Sequence, residues 1–139
     1  MKQCGRWGQY MQIATMMADE LGKYLDKSVL EMKLTAQNMA NVDTPGYKSV
    51  GFDFATEMAR SLDALEMGQD GMGAPAAKVV ELDGLVSRPD GNNVSVDREG
   101  LKMAEAQLQF RTGVTLLNNE FMMVRNAIKG DEGTSAGRS

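Results

Sequence analysis

Histidine is absent from all 139 residues, and there is a single cysteine, Cys4. Without an imidazole, the nucleophile–base pairing of serine and cysteine hydrolases has no base. One thiol cannot close an internal disulfide, and no thiol–imidazole cluster exists to hold a metal. Aromatic residues are scarce at 6%, and lysine plus arginine are outnumbered 15 to 19, for a net charge of −4. That balance, with no polybasic run, gives no electrostatic reason to expect nucleic acid. Nothing approaches the ~18 consecutive apolar residues of a membrane span. Near the start, Gln9, Gln12 and Thr15 interrupt the one candidate apolar segment, so no cleavable signal peptide is expected. An enzyme, a cofactor and a small-molecule substrate are not expected.

What the chain does have is helical periodicity at both ends. From about Tyr10 to Asn41, apolar or small residues recur in steps of three and four: Met11, Ala14, Ala18, Leu21, Leu25, Ser28, Met32, Thr35 and Met39. Gly22 is the one poor helix former inside this run. The second signal begins where Ser95 or Asp97 can cap a helix with Asp97 and Glu99 in its first turn. Its seam reads Met103, Gln107, Phe110, Val114, Leu117, Phe121, Val124 and Ile128, broken only by Gln107. Leu101, Leu108, Leu116 and Met122 widen the apolar surface, and Gly130 offers a stop. The spacing predicts helices over about 10–42 and 97–129. Each carries more apolar surface than a two-helix hairpin can cover, so further helices from neighbouring subunits are expected to cover the rest.

Between them the character changes. Val50, Phe52 and Phe54 alternate with Gly51 and Asp53 as in a short strand, and residues 56–67 suit a brief helix. "GQDGMGAPAAK" (68–78) reads as a flexible linker, Val79, Val80 and Leu82 as another short strand, and "RPDGNN" (88–93) as a turn. The resulting divisions are 1–45, 46–95, 96–130 and a disordered tail 131–139. An EF-hand reading of the segment starting at Asp90 fails, because its sixth and twelfth positions fall on Ser95 and Leu101. The Asp19-Glu20 pair sits on adjacent helix positions that point apart, which suits a solvated face. The 12 methionines, including Met16-Met17 and Met122-Met123, suit helix packing against non-identical neighbours better than a promiscuous peptide groove.

The most specific stretch is "NMANVDTPGYKSVGFDF" (38–54). Thr44 precedes proline and is pushed out of the α region, so the helix must end near Val42 or Asp43. Pro45 presets the first central position of a β-turn, and Gly46 tolerates the positive φ that a type II turn requires next. Asn38 and Asn41 can bond exposed backbone groups at the helix end, and Tyr47 offers a ring and a hydroxyl beside it. A plain helix stop would account for these features as well as a rigid corner does.

In "AQNMANVDTPGYKS", the residues Ala36, Asn38, Ala40, Asn41, Thr44, Pro45, Gly46 and Tyr47 resemble the A-x-N-x-A-N-x-x-T-P-G-Y signature of the bacterial flagellar basal-body rod proteins. "GNNVSVDREGLKMAEAQLQF" onward resembles the C-terminal helix of the proximal-rod branch, and the two likenesses cover about residues 20–60 and 90–130. Ser95 and Gly100 depart from the family pattern. The resemblance implies a structural subunit of the proximal rod that transmits torque and lines the export channel. It also implies periplasmic location after export by the flagellar type III apparatus. The implied partners are other copies of itself, neighbouring rod proteins of the FlgC, FlgF and FlgG kind, the adaptor FliE and the export gate. Alternatives are another rod subunit (FlgC-like) or a helical-hairpin adaptor or chaperone of a secretion system. The fold expected is mainly α, an antiparallel coiled-coil-like pair of long terminal helices with a short irregular, β-containing insert. Leu21, Leu25, Met32 and Met39 are expected to pack on Phe110, Val114, Leu117, Phe121, Val124 and Ile128. Asn38, Asn41, Thr44, Pro45, Gly46 and Tyr47 should fix the corner. Phe52 and Phe54 should dock the insert or meet the export gate.

Overall fold

The computed structural model describes residues 4–68 and 76–132. Its elements run α1 (Cys4–Ala40), β1 (Val50–Gly51), α2 (Phe54–Glu66), β2 (Val80–Glu81) and α3 (Val96–Glu132). α1 and α3, each 37 residues, pack antiparallel along their length. Asn38 meets Glu99 near one end, while Leu25 and Tyr24 lie against Gly113 further along. The mainly α architecture and the long terminal pair are therefore as the periodicity indicates. α3 runs through Gly130 to Glu132 instead of stopping there. The linker 68–78 and the tail 131–139 lie largely outside the described residues.

The line of closest approach is polar and small, not oily. On α3 it runs through Glu99, Ala106, Gly113 and Glu120, one residue in seven, all buried. Facing it on α1 are Ser28, Leu34, Thr35 and Asn38. Among the described residues, the buried apolar side chains are Leu34, Ala64, Val94 and Ala106. Small residues allow close backbone approach. A Cβ on Gly113 would stand 2.8 Å from Leu25 Cδ2 and 3.1 Å from Tyr24 Cδ1, inside van der Waals contact. The Ser28 hydroxyl is harmless in this seam because it donates back to the Tyr24 carbonyl at 2.9 Å.

The insert folds more economically than alternation suggests. β1 and β2 pair antiparallel over two residues each, Val50 opposite Glu81 and Gly51 opposite Val80. The strand expected to continue to Phe54 stops at Gly51, because Asp53 caps a helix instead. Its carboxylate accepts from the Thr56 N–H at 3.0 Å, and α2 begins at Phe54. Phe54 packs edge-on against Tyr24 of α1, ring centroids 5.4 Å apart, and Phe52 lies 6.1 Å from Phe54. α2 thereby lies along α1. Glu57, buried on its inner face, pairs with Arg60, which also donates to the Ala76 carbonyl at 2.9 Å.

Candidate functional site

α1 leaves its last regular turn at Ala40 and tightens. The N–H groups of Asn41 and Val42 reach back three residues to the carbonyls of Asn38 and Met39, at 3.1 and 3.2 Å. Thr44-Pro45-Gly46-Tyr47 then closes a turn with the Tyr47 N–H on the Thr44 carbonyl at 3.2 Å. Gly46, third in the turn, has φ +73, the left-handed region that a type II turn demands there. The Thr44 hydroxyl bonds Asn41 Oδ1 at 3.2 Å, and Asn41 Nδ2 bonds the Gln37 carbonyl at 2.8 Å.

Asn38 is the hub of the corner. Its side chain is 1% exposed and spends all of its bonding capacity on three segments. Oδ1 accepts from the Val50 N–H at 2.9 Å and from the Tyr47 hydroxyl at 3.2 Å. Nδ2 donates to the Val50 carbonyl at 2.9 Å and to the buried carboxylate of Glu99 at 3.0 Å. The amide thus mimics a neighbouring strand to Val50 while tying α1 to α3. Arg98 donates to Glu99, at 3.4 Å, and also to Ser49 Oγ at 3.3 Å and the Asn93 carbonyl at 2.9 Å.

A second asparagine caps the helix from far along the chain. Nδ2 of Asn92 donates to the carbonyls of Asn41, Val42 and Thr44 at 3.0, 3.1 and 2.8 Å. The carbonyls of Asn41 and Thr44 also accept from the Thr44 and Tyr47 N–H groups, so Asn92 braces a turn that backbone bonds already close. Arg88 adds a bond to the Val42 carbonyl. Asn92 itself is held by the Val94 N–H on Oδ1 at 2.7 Å. Asn93 completes the set: Oδ1 accepts from the Ser49 N–H at 2.7 Å, and Nδ2 donates to the Leu82 carbonyl at 3.2 Å. The Gly46 N–H bonds the Asp90 carbonyl at 2.9 Å, and Lys48 bonds the Gly91 carbonyl at 2.8 Å. The corner is therefore clamped to the segment leading into α3.

Of the residues expected to act here, Asn38, Asn41, Thr44, Pro45, Gly46 and Tyr47 stand together. Ser49, Asn92, Asn93, Arg98 and Glu99 also belong to the site and were not singled out for it. Their signal was the "NNV" followed by an acidic-basic-acidic helix start, whose partner some 50 residues earlier no spacing rule reveals. The packing residues distribute differently. Leu21, Leu25, Met32, Met39, Phe110, Leu117 and Val124 are half-buried along the pair. Val114, Phe121 and Ile128 face outward, 36%, 59% and 62% exposed. Phe52 and Phe54 are half-buried between the insert and α1.

Two further features lie along the helix pair. Glu31 faces Lys102 and Glu105 of α3. Burial pushes its carboxyl above the ordinary value, Lys102 opposes the shift and Glu105 adds to it. One Glu31 oxygen and the Gln109 carbonyl oxygen are sealed off without a partner. Nearer the far end, α1, α2 and α3 enclose an apolar groove of about 600 Å³. Its walls include Met17 and Leu21 of α1, Met58 and Leu62 of α2, and Leu116 and Met123 of α3, and the charged side chains lining it are Glu20 and Glu120. Among the described residues no cluster of three histidine, cysteine or carboxylate groups could hold a metal, and no helix is long and apolar enough to cross a membrane.

No family model matches the chain. Individual proteins do. A flagellar basal body rod protein FlgB of Cereibacter sphaeroides is 34% identical over 127 residues, covering 84% of this chain and 99% of that protein. A FlgB of Salmonella typhimurium is 28% identical over 116 residues, covering 70% and 82%. One of Escherichia coli is 24% identical over 115 residues, covering 70% and 81%. With near-complete coverage of a relative at that identity, and with the Asn38–Tyr47 signature folded into a clamped corner, the chain belongs to the FlgB family of flagellar basal body rod proteins.

Proposed function

We propose that this chain is a structural subunit of the proximal rod of the bacterial flagellar basal body, transmitting torque and lining the export channel. It works by shape and contact, with no chemical step. The observation that carries this reading is the helix pair itself. Its close seam is covered within one molecule, yet Met11, Ile13, Phe121 and Ile128 remain more than half exposed. Burying one such side chain contributes about 1.5–3 kcal/mol, so neighbours that cover them stabilise an assembly. The corner sets the angle between that pair and the insert, which a torque-bearing subunit must hold against load.

On this reading the subunit reaches the periplasmic rod through the flagellar type III apparatus. It meets other copies of itself, FlgC-, FlgF- and FlgG-like rod proteins, FliE and the export gate. Phe54 docks the insert, which its edge contact with Tyr24 supports; loss of secretion in a folded Phe52→Ala variant would instead assign Phe52 to the gate.

The test is deletion of the gene, complementation, and recovery of the chain in purified basal bodies. Deletion should abolish motility, and the chain should copurify with the rod; its absence from basal bodies sinks the proposal. Gly46→Val sharpens the test. A Cβ there meets nothing within 4 Å, so only the left-handed φ is penalised, by about 1–2 kcal/mol. Rod assembly and motility should fall more than export does. Unchanged motility and rod yield would make the corner incidental.

A further inference from the structure

The groove and the exposed line of α3 are complementary surfaces on one molecule. Leu116 and Met123 form part of the groove, whereas Val114 and Phe121 stand two residues before them. At 3.6 residues per turn, positions two apart lie roughly 200° around a helix, so groove and line face nearly opposite ways. The line Val114, Phe121, Ile128 repeats every seven residues, the spacing with which a helix presents anchors to a groove. Around Val114 and Phe121 the charged neighbours on the helix surface are basic and exposed, Arg111 three before Val114 and Arg125 four after Phe121, while the acidic Asp131 and Glu132 follow Ile128. The groove is lined by the opposite sign, Glu20 and Glu120, and by no basic residue.

We propose that the groove receives the Val114–Phe121–Ile128 line of a second copy of this chain, with Arg111 and Arg125 of the incoming helix against Glu20 and Glu120. Because donor and acceptor surfaces differ, the contact is heterologous, and repetition builds a ring or an open helical array instead of a two-fold pair. Phe121 is the central anchor. This rests on the rod-subunit reading and names which face of one subunit meets which face of the next.

Cysteine pairing in the full-length chain tests it, with Cys4→Ser as background. Copies carrying Met123→Cys, at the groove, are mixed with copies carrying Asn118→Cys, on the line between Val114 and Phe121, and oxidised, so that the Phe121 anchor is kept. Both sites are exposed, so folding is undisturbed. Mixed dimers should form in clear excess over like pairs. Like pairs of Met123→Cys copies in equal yield would mean a symmetric groove-to-groove contact and overturn the proposal, as would no cross-link at all. A charge exchange gives an independent reading. Glu20→Lys and Arg125→Glu should each weaken self-association by about two- to fivefold, and the double variant should regain it. Phe121→Ser should weaken it about tenfold or more. Failure of these with wild-type chain still present in basal bodies removes this contact and leaves the rod assignment standing; a chain missing from basal bodies removes both.

Discussion

Asn38 shows how much one side chain can carry when burial is complete. Four bonds to Val50, Tyr47 and Glu99 converge on an amide with no exposure to water to replace them. Asn38→Ala leaves the Val50 N–H and the Glu99 carboxylate short of partners, and unsatisfied buried groups cost about 1–3 kcal/mol each. A loss near the top of that range is expected in urea unfolding. Asn38→Asp should be worse, since it sets a carboxylate against buried Glu99, and adding Glu99→Gln should recover part of the loss. No recovery in the double variant would show that the Asn38–Glu99 bond is not what ties the helices. Gly113 makes a different residue-scale point. Gly113→Val drives a branched side chain into Leu25 and Tyr24 and should destabilise by about 1–3 kcal/mol. Gly100→Ala, where a Cβ meets nothing within 4 Å, should stabilise by about 0.5–1 kcal/mol through helix propensity. Opposite shifts in melting temperature check the pair.

At the scale of elements, two carboxylates give opposite pH signatures. The Thr56 N–H, the Thr56 side chain and the Ala55 N–H hold the Asp53 carboxyl below its ordinary value of 3.8. A depressed folded value means the α2 cap stabilises fully above 3.8 and is lost as pH falls through the folded value. Asp53→Asn should therefore flatten the acid limb of α2 melting. Glu31 runs the other way. Its folded value lies above 4.5, so the folded state binds the extra proton, and stability falls as pH rises from 4.5 through that raised value. Glu31→Gln should remove this slope and leave the protein more stable at neutral pH; an unchanged slope in urea titrations across that window would refute the assignment. The elements also show what periodicity can and cannot convey. Both long helices were legible because three-four spacing persists over their length. Their contact line was not, because apolar spacing marks every covered face alike, whether the cover comes from the same molecule or another. Ser28 and Thr35 of α1 stood in its apolar-or-small run, but the Ala106 and Gly113 they approach on α3 are small residues that hydrophobic patterning passes over. The Pro45-Gly46 turn was legible from local backbone restriction, while its clamp by Asn92 joins segments 48–51 residues apart. The strand through Phe54 was misjudged because alternation and a helix cap at Asp53 share the same few residues.

For the whole molecule, burial is graded from one end of the helix pair to the other. Among the described residues, buried Leu34, Thr35, Asn38, Ser49, Asn92, Asn93, Val94 and Glu99 cluster around the corner, and the buried Gly113 and Glu120 of α3 lie further along the pair. The opposite end carries the exposed Met11, Ile13, Met16 and Met17 of α1 and Phe121, Met122, Met123 and Ile128 of α3. Helices without packing partners are marginal in water, because nucleation is unfavourable and propagation gains little per residue. The isolated subunit should therefore be a clamped half joined to a half that opens readily. Native-state hydrogen exchange measures this directly, since local opening free energies range from about zero at fraying ends to the global value in the core. Amides near 30–38 and 99–113 should exchange about a hundredfold or more slowly than those near 11–17 and 121–128. In assembled rods the distal amides should gain the larger share of protection. Uniform slow exchange along both helices of the lone subunit would mean that the exposed apolar side chains need no neighbour.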